Sequence, residues 1–371
     1  MPLFPFFDLT RQYETIKPEI METVTKVFEK QAFVMGDEVL NLEKELAGYI
    51  GVKHAVTCSS GTDALVLALK AVGVGAGDEV ITPGFSFFAS SSSILLAGAT
   101  PVFADVDPVT FNLEPTTLKK LVTKKTKAIM PVHLFGQCAD MDAINEFSSS
   151  HDLFVIEDFA QALGAQYKYK GAGSMGSVGA TSFYPTKNLG GAGEGGLVTT
   201  QDDKIAETLK LLRVHGMRVR YTHEILGWNS RLDALQASVL RVKLRHLDKW
   251  VTRRRQLAEQ YKLLLNPLVE KKQIILPKTV ENRVHVWNQY VVRVENRDEV
   301  RRKLDEKGIP TDIYYPKTIP AQPVMRDLGF NEVGIPVSVS LSERALALPI
   351  FPELTDSEQR SVADALKEVL I

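Results

Sequence analysis

The chain has 371 residues, 44 basic and 45 acidic, and a formal net charge of −1. This balance excludes the basic excess that a nucleic-acid-binding protein needs to neutralise phosphates, so we expect no nucleic acid partner. The two cysteines, Cys58 and Cys138, exclude a disulfide framework and favour a reducing, cytoplasmic location. An apolar share of 44% is typical of a globular protein and excludes low-complexity disorder.

Short apolar runs alternate with helical patterns over the first part of the chain. Strands are predicted at 54–58, 79–82, 100–104, 128–133 and 153–157, and helices at 64–72, 88–97, 115–121 and 141–150. This alternation is typical of an α/β fold with a mostly parallel sheet flanked by helices.

The uncharged stretch 80–104 is long enough to cross a membrane. Pro83, Gly84, four serines at 90–93 and Pro101 interrupt it, so we predict a strand, a turn, a helix and a strand there, and no membrane segment. The N-terminus lacks the basic start of a signal peptide, and we expect none.

The pattern of predicted elements changes in the last third of the chain. A long helical pattern runs from Asn229 through Val251. It is followed by a predicted strand at 289–294, a helix at 297–307, a proline-rich loop at 310–323 and a terminal helix from Thr355. We therefore predict a large α/β domain with an N-terminal arm at 1–250 and a smaller C-terminal α+β domain at 251–371.

Two glycine patterns, 171–176 and 191–196, fit the form GxGxxG. A dinucleotide site requires a buried strand before the glycines and a helix after them. The first pattern follows a polar segment, and the second leads into the strand-like run 197–200. Both contexts argue against a nicotinamide or flavin site.

Four other features together point to pyridoxal phosphate. Lys187 lies among glycines after an aromatic run, where it can form a Schiff base, although a surface lysine is the simpler alternative. Asp158 ends a predicted buried strand, where it can pair with the pyridinium nitrogen or merely cap a helix. Small and hydroxyl residues at 59–63 precede a helix, which favours a phosphate site. Phe87 can stack on the ring.

Six segments carry a resemblance to a known family. They are SGTDAL at 60–65, PVHLFG at 131–136, EDFAQ at 157–161, SFYPTK at 182–187, NSRLD at 229–233 and HVW at 285–287. In order and spacing, over nearly the whole chain, they resemble the DegT/StrS-type sugar aminotransferases. The resemblance implies pyridoxal 5'-phosphate and its fold type I, the aspartate aminotransferase-like fold.

The resemblance also implies site roles. Lys187 would bind the cofactor and move the proton, and Asp158 would pair with the ring nitrogen. Gln161 would bond the ring hydroxyl and Phe87 would stack. The phosphate would be held by Gly61, Thr62, Ser182 and, from the neighbouring subunit, Asn229. This last role implies a homodimer with shared active sites.

The sugar nucleotide would contact six further positions by the same resemblance: Gln31, Phe33, Thr186, Arg231, Tyr314 and Tyr315. Many relatives have a histidine where Tyr314 stands and a tyrosine where Phe33 stands. These differences concern the sugar and leave the transamination machinery intact.

The expected reaction moves an amino group from glutamate to a UDP-linked 2-acetamido-3-keto hexose or hexuronate, for surface polysaccharide or lipid A synthesis. The alternatives are a 4-keto sugar aminotransferase and a regulatory protein that kept the fold without catalysis. A related dehydratase branch has a histidine in place of the lysine, and Lys187 argues against it.

Overall fold

The computed structural model describes residues 2–370. The helices are α1 Leu9–Lys30, α2 Asp37–Ile50, α3 Gly61–Ala71, α4 Ala89–Leu96, α5 Leu118–Leu121, α6 Met141–Ser150, α7 Asp203–Leu212, α8 Ala234–Leu244, α9 Leu247–Glu270, α10 Arg297–Glu306, α11 Pro323–Asp327, α12 Pro336–Arg344 and α13 Asp356–Leu370. The strands are β1 His54–Cys58, β2 Glu79–Pro83, β3 Thr100–Ala104, β4 Thr126–Ile129, β5 Phe154–Asp158, β6 Gln166–Tyr167, β7 Lys170–Gly171, β8 Val178–Ser182, β9 Gly196–Thr200, β10 Met217–Val219, β11 Thr222–His223, β12 Ile274–Ile275, β13 Arg283–Val284, β14 Tyr290–Val294 and β15 Ala345–Leu348.

A seven-stranded sheet forms the centre of the molecule, in the order β1-β9-β8-β5-β4-β2-β3. Neighbouring strands from β8 through β3 pair in parallel, and β9 runs antiparallel to both β8 and β1. Apolar side chains of α2, α3 and α6 bury against it. The predicted mostly parallel sheet flanked by helices is confirmed.

The uncharged stretch 80–104 forms β2, α4 and β3, as predicted. Among the helices that the structure describes, none combines the length and apolar character needed to cross a membrane.

Several predicted elements differ from the structure in their bounds, and two of these differences have a clear physical cause. The strand predicted at 128–133 ends earlier, at Ile129, because Pro131 has no N–H to donate to a ladder. The helical pattern from Asn229 is not one helix. Asp233 accepts a hydrogen bond from Gln236 N at 2.8 Å and caps α8, so the residues before it are extended.

The C-terminal part packs α9, α10 and α13 on the antiparallel sheet β12-β14-β15. Phe4, near the N-terminus, also contributes to this second core. Helix α9 passes through residue 250 without a break, and the division of the chain at 250 stays a prediction.

Candidate active site

A cavity of about 520 Å³ opens at the carboxyl ends of β5 and β8. The carboxyl ends of parallel strands lie at the same edge of an open sheet, and folds of this kind bind their ligands at that edge. The sequence-predicted residues that line it are Gly61, Thr62, Phe87, Asp158, Gln161, Ser182, Thr186, Lys187, Tyr314 and Tyr315. The structure therefore brings a lysine, an acid, a helix start and aromatic rings to one cavity.

Asp158 is the last residue of β5, and its side chain is buried. Ser90 Oγ donates to Asp158 Oδ2 at 2.9 Å, and Ala160 N donates to Oδ1 at 3.2 Å. Burial raises the pKa of the Asp158 carboxyl, while the two hydrogen bonds and the charge of Lys187 act in the opposite direction. A cation in the cavity would stabilise the ionised form of this acid.

Lys187 lies in the loop between β8 and β9. The loop is closed by hydrogen bonds from Phe183 N to Gly195 O and from Gly191 N to Phe183 O, both 2.8 Å. Within residues 2–370, no carboxylate forms a salt bridge with the Lys187 amine. Desolvation lowers the pKa of Lys187 to about 8, although the charge of Asp158 opposes this shift. A substantial share of the amine is therefore neutral and nucleophilic near pH 8.

The start of α3 forms a cradle for an anion. Ser60 Oγ accepts from Asp63 N at 3.1 Å, which leaves the N–H groups of Gly61 and Thr62 without an intrahelical partner. A Cβ at Gly61 would lie 2.5 Å from Ser182 Cβ, so only glycine lets β8 approach the helix this closely. Backbone N–H groups, hydroxyls and the helix dipole together fit a phosphate.

Gln161 and Phe87 lie on other walls of the cavity. Gln161 Oε1 accepts from Phe135 N at 2.7 Å, and Gln161 Nε2 donates to the Tyr315 hydroxyl at 3.0 Å. Phe87 is 55% exposed although it is a large apolar residue, and its ring faces Tyr315 at a centroid distance of 6.1 Å. An exposed ring in a cavity wall fits a stacked aromatic ligand.

Four predicted site residues do not line this cavity: Gln31, Phe33, Asn229 and Arg231. Instead they belong to two segments of the same chain that meet at Val34 and Asp233. Phe33 O accepts from Ala234 N at 2.8 Å, and Val34 forms a β-bridge with Asp233, so the two segments run side by side. Gln31 and Asn229 are exposed there, and we call residues 31–34 and 229–233 the second patch.

Sequence reasoning missed several residues of the cavity wall. Ser86 lines the cavity and bonds to Ser90 at 3.0 Å, and Ser90 reaches Asp158. The serine run at 90–93 was the available signal, because a buried hydroxyl requires a polar partner. Gln289 also lines the cavity, and its Oε1 is buried without a partner among the described residues. No local pattern marked Gln289.

The first glycine pattern, 171–176, binds a carboxylate of its own chain. Glu157 accepts hydrogen bonds from the backbone N–H groups of Gly173, Met175 and Gly176 at 2.9, 2.6 and 2.6 Å. His133 Nε2 lies 2.9 Å from the same carboxylate. The second pattern, 191–196, leads into β9, so neither glycine pattern opens a helix for a dinucleotide.

The family follows from comparison with known proteins. The model of the DegT/DnrJ/EryC1/StrS aminotransferase family matches residues 14–367. The chain belongs to this family.

Curated relatives match nearly the full length. A protein of Geobacillus stearothermophilus named pleiotropic regulatory protein is 48% identical over 98% of both chains. The dTDP-3-amino-3,4,6-trideoxy-alpha-D-glucose transaminase of Streptomyces venezuelae is 42% identical over 99% of this chain and 96% of its own. The UDP-2-acetamido-2-deoxy-3-oxo-D-glucuronate aminotransferase of Pseudomonas aeruginosa is 40% identical over 98% of this chain and 99% of its own.

Solved structures agree with these relatives. DesV of S. venezuelae superposes with a TM-score of 0.96 at 41% identity, covering 99% of this chain and 98% of its own. NtdA of Bacillus subtilis, solved with bound cofactor PMP, gives 0.92 at 32% identity, covering 100% of this chain and 86% of its own. The predicted family, fold type, enzyme class and pyridoxal phosphate cofactor are confirmed.

Proposed function

We propose that this protein moves the amino group of glutamate onto the 3-keto carbon of a nucleotide-linked sugar. The proposed substrate is a UDP-linked 2-acetamido-3-keto hexose or hexuronate, used for surface polysaccharide or lipid A synthesis. The observation that carries the proposal is the placement of the Lys187 amine, whose pKa is lowered to about 8, in one cavity with Asp158 and the anion cradle at Gly61.

The cavity residues fit pyridoxal phosphate. The N–H groups of Gly61 and Thr62 would hold its phosphate, and Asp158 would keep its ring nitrogen protonated. When bound, the cofactor supplies an electron sink for the bonds at the amino carbon. Lys187 removes a proton from glutamate and later returns one to the sugar carbon. Glutamate would leave as its 2-oxo acid with an oxygen taken from water, its nitrogen would pass to the sugar carbon, and the sugar's keto oxygen would leave as water.

The choice of sugar carbon 3 draws on the relatives. The names of the S. venezuelae and P. aeruginosa proteins both place the nitrogen or the keto group at carbon 3. One of these proteins acts on a dTDP sugar and the other on a UDP sugar. We propose UDP because the segment 136–142 resembles relatives that act on UDP-linked 2-acetamido sugars.

The charge of the cavity supports a homodimer with shared active sites. Lys187 is the single basic residue among the lining residues that the structure describes, and it is committed to the cofactor. A nucleotide diphosphate requires further cations. We propose that the second patch of the partner subunit, which holds Asn229 and Arg231, completes the site.

A regulatory role is the second candidate, because the Geobacillus relative is named as a regulator. A regulator without catalysis has no need of a desolvated lysine beside a buried acid. A protein that stayed colourless with pyridoxal phosphate and released no 2-oxo acid from glutamate would favour this candidate.

The first test measures visible absorption. We expect the purified protein to show a visible absorption band with pyridoxal phosphate, and Lys187→Ala to abolish it. Lys243→Met is the matched control. Burial also lowers the pKa of Lys243 to about 8, but its amine donates to Gly190 O at 2.8 Å and does not line the cavity. This variant should keep the band.

The substrate is tested with glutamate and a panel of 3-keto and 4-keto nucleotide sugars carrying UDP or dTDP. Position-resolved NMR of the product locates the new nitrogen. We expect nitrogen at carbon 3 of a UDP sugar. Nitrogen at carbon 4 would overturn the proposed regiochemistry, and a preference for dTDP would overturn the proposed nucleotide.

A further inference from the structure

Tyr315 belongs to the loop that follows α10, and it reaches across to the large sheet. Its ring lies 6.1 Å from both Phe85 and Phe87, measured between centroids. Its hydroxyl accepts a hydrogen bond from Gln161 Nε2 at 3.0 Å. Burial raises the pKa of Tyr315, so the hydroxyl keeps its proton at neutral pH. One residue thus contacts both the exposed ring of Phe87 and the amide of Gln161.

The orientation of the Gln161 amide is set by its neighbours. Gln161 Oε1 accepts from Phe135 N at 2.7 Å, so the other end of the amide is the NH₂ group. One N–H goes to Tyr315, and the second N–H remains. Because Gln161 lines the cavity, this second N–H is available to a ligand there.

We propose that Tyr315 is a positioning residue for the cofactor, which fixes the Gln161 amide so that its free N–H meets the ring oxygen of pyridoxal phosphate. This inference rests on the proposed function. It assigns to Tyr315 a role separate from any contact with the sugar, and it links the C-terminal part of the chain to the electronic state of the ring.

The loop that carries Tyr315 is held at both ends. Asp312 N donates to Ala347 O at 3.2 Å on the edge of the small sheet. Ile319 N donates to Gly84 O at 2.8 Å, just after β2. The hydroxyl of Tyr315 is therefore carried on a segment anchored to both sheets, as a positioning residue requires.

The charge of the bound ring is the quantity that this contact changes. A donor to the ring oxygen would favour its anionic form, withdraw electron density and make Nζ of Lys187, once joined to the cofactor, harder to protonate. The other titratable groups close by are Asp158, Tyr184, Lys187, Glu194, Asp312 and Tyr314. None of these changes when the Tyr315 hydroxyl alone is removed.

The test is the pH titration of the visible band of the holoenzyme in Tyr315→Phe. This change keeps the aromatic packing and removes the hydroxyl. We expect the titration midpoint to rise by about half a pH unit, the size of one lost hydrogen bond. Tyr261→Phe is the matched control, since its buried hydroxyl donates to Pro349 O at 2.9 Å and the residue does not line the cavity, so the midpoint should stay unchanged.

A double-mutant cycle separates positioning from a direct effect. Gln161→Ala should raise the midpoint on its own, and adding Tyr315→Phe should then change nothing more. Additive shifts, or no shift in Tyr315→Phe with an altered KM for the sugar only, would overturn the inference. Those results leave the proposed function intact, whereas a wild-type protein that takes up no cofactor would overturn both.

Discussion

Two neighbouring carboxylates, Glu157 and Asp158, end strand β5 and lie on opposite faces of the sheet, since side chains alternate along a strand. Both are buried. Glu157 accepts from three backbone N–H groups of the loop 171–176 and from His133. His133 Nδ1 accepts from Ala139 N at 3.1 Å, so the proton of the neutral imidazole lies on Nε2 and points to Glu157.

Asp158 accepts fewer hydrogen bonds than Glu157. It accepts from Ser90 and from Ala160 N, one donor for each oxygen, and the cavity adjoins it. A carboxylate has about four acceptor positions, so Asp158 retains capacity that Glu157 has used. One position along the strand thus separates an acid that holds the fold from an acid that is free to bind a ligand.

We expect the largest effect from Asp158→Asn. The amide keeps the size and loses the charge, so a ring nitrogen in the cavity would lose its protonating partner. We expect cofactor to remain bound and the rate of the glutamate half-reaction to fall roughly 10²–10³-fold. Stopped-flow absorbance of the holoenzyme measures this rate. An unchanged rate would place the carboxylate away from the ring nitrogen.

Glu157→Gln tests the other member of the pair. The glutamine amide would place its NH₂ group, a donor, opposite buried backbone N–H groups that are also donors, so hydrogen bonds would be lost. We expect the free energy of unfolding to fall by about 2–3 kcal/mol, the range for buried hydrogen bonds to a charged group. Urea unfolding measures the loss, with the exposed Glu281→Gln as control. Equal stability of the two variants would show that Glu157 is not a structural anchor.

Local patterns predicted much of the fold and the central chemistry. The strands at 54–58 and 100–104 have the predicted bounds, because short apolar runs between turn residues carry their own signal. Lys187 and Asp158 were found because a lysine among glycines and an acid at a strand end are local features. The role of Glu157 was not predictable, since its donors come from loops that lie far along the chain and meet only in the fold.

The position of the second patch also could not be predicted from the sequence. The resemblance placed Gln31 and Arg231 in a sugar site, yet one chain holds them apart from its own cavity. A family motif gives the residue and its partner chemistry, but a single sequence does not tell on which copy of the chain that partner lies. The helical pattern from Asn229 forms α8 and α9, and it begins later than predicted because Asp233 caps α8.

Gly61→Ala changes the anion cradle at the start of α3 and leaves both carboxylates in place. The new Cβ would lie 2.5 Å from Ser182 Cβ, so the start of α3 and the end of β8 must separate. We expect the affinity for pyridoxal phosphate to fall about tenfold. Gly48→Ala is the control, because a Cβ at that helical position meets nothing within 4 Å. Fluorescence titration of the apoprotein compares the two, and equal affinities would exclude Gly61 from the phosphate site.

The smallest effect concerns the lysine itself. Burial lowers the pKa of Lys187 to about 8, and the charge of Asp158 partly offsets this. Only the neutral amine attacks the cofactor aldehyde, so the rate of cofactor uptake by the apoprotein should rise with pH through about 8. Removing the negative charge in Asp158→Asn leaves desolvation unopposed, so the midpoint should move to lower pH by about half a unit.

Glu157→Gln should leave the midpoint in place, because Glu157 does not line the cavity and does not contribute to the lowered pKa of Lys187. A shift of the same size in both variants would mean that the two carboxylates act on the lysine alike, which contradicts the division between them.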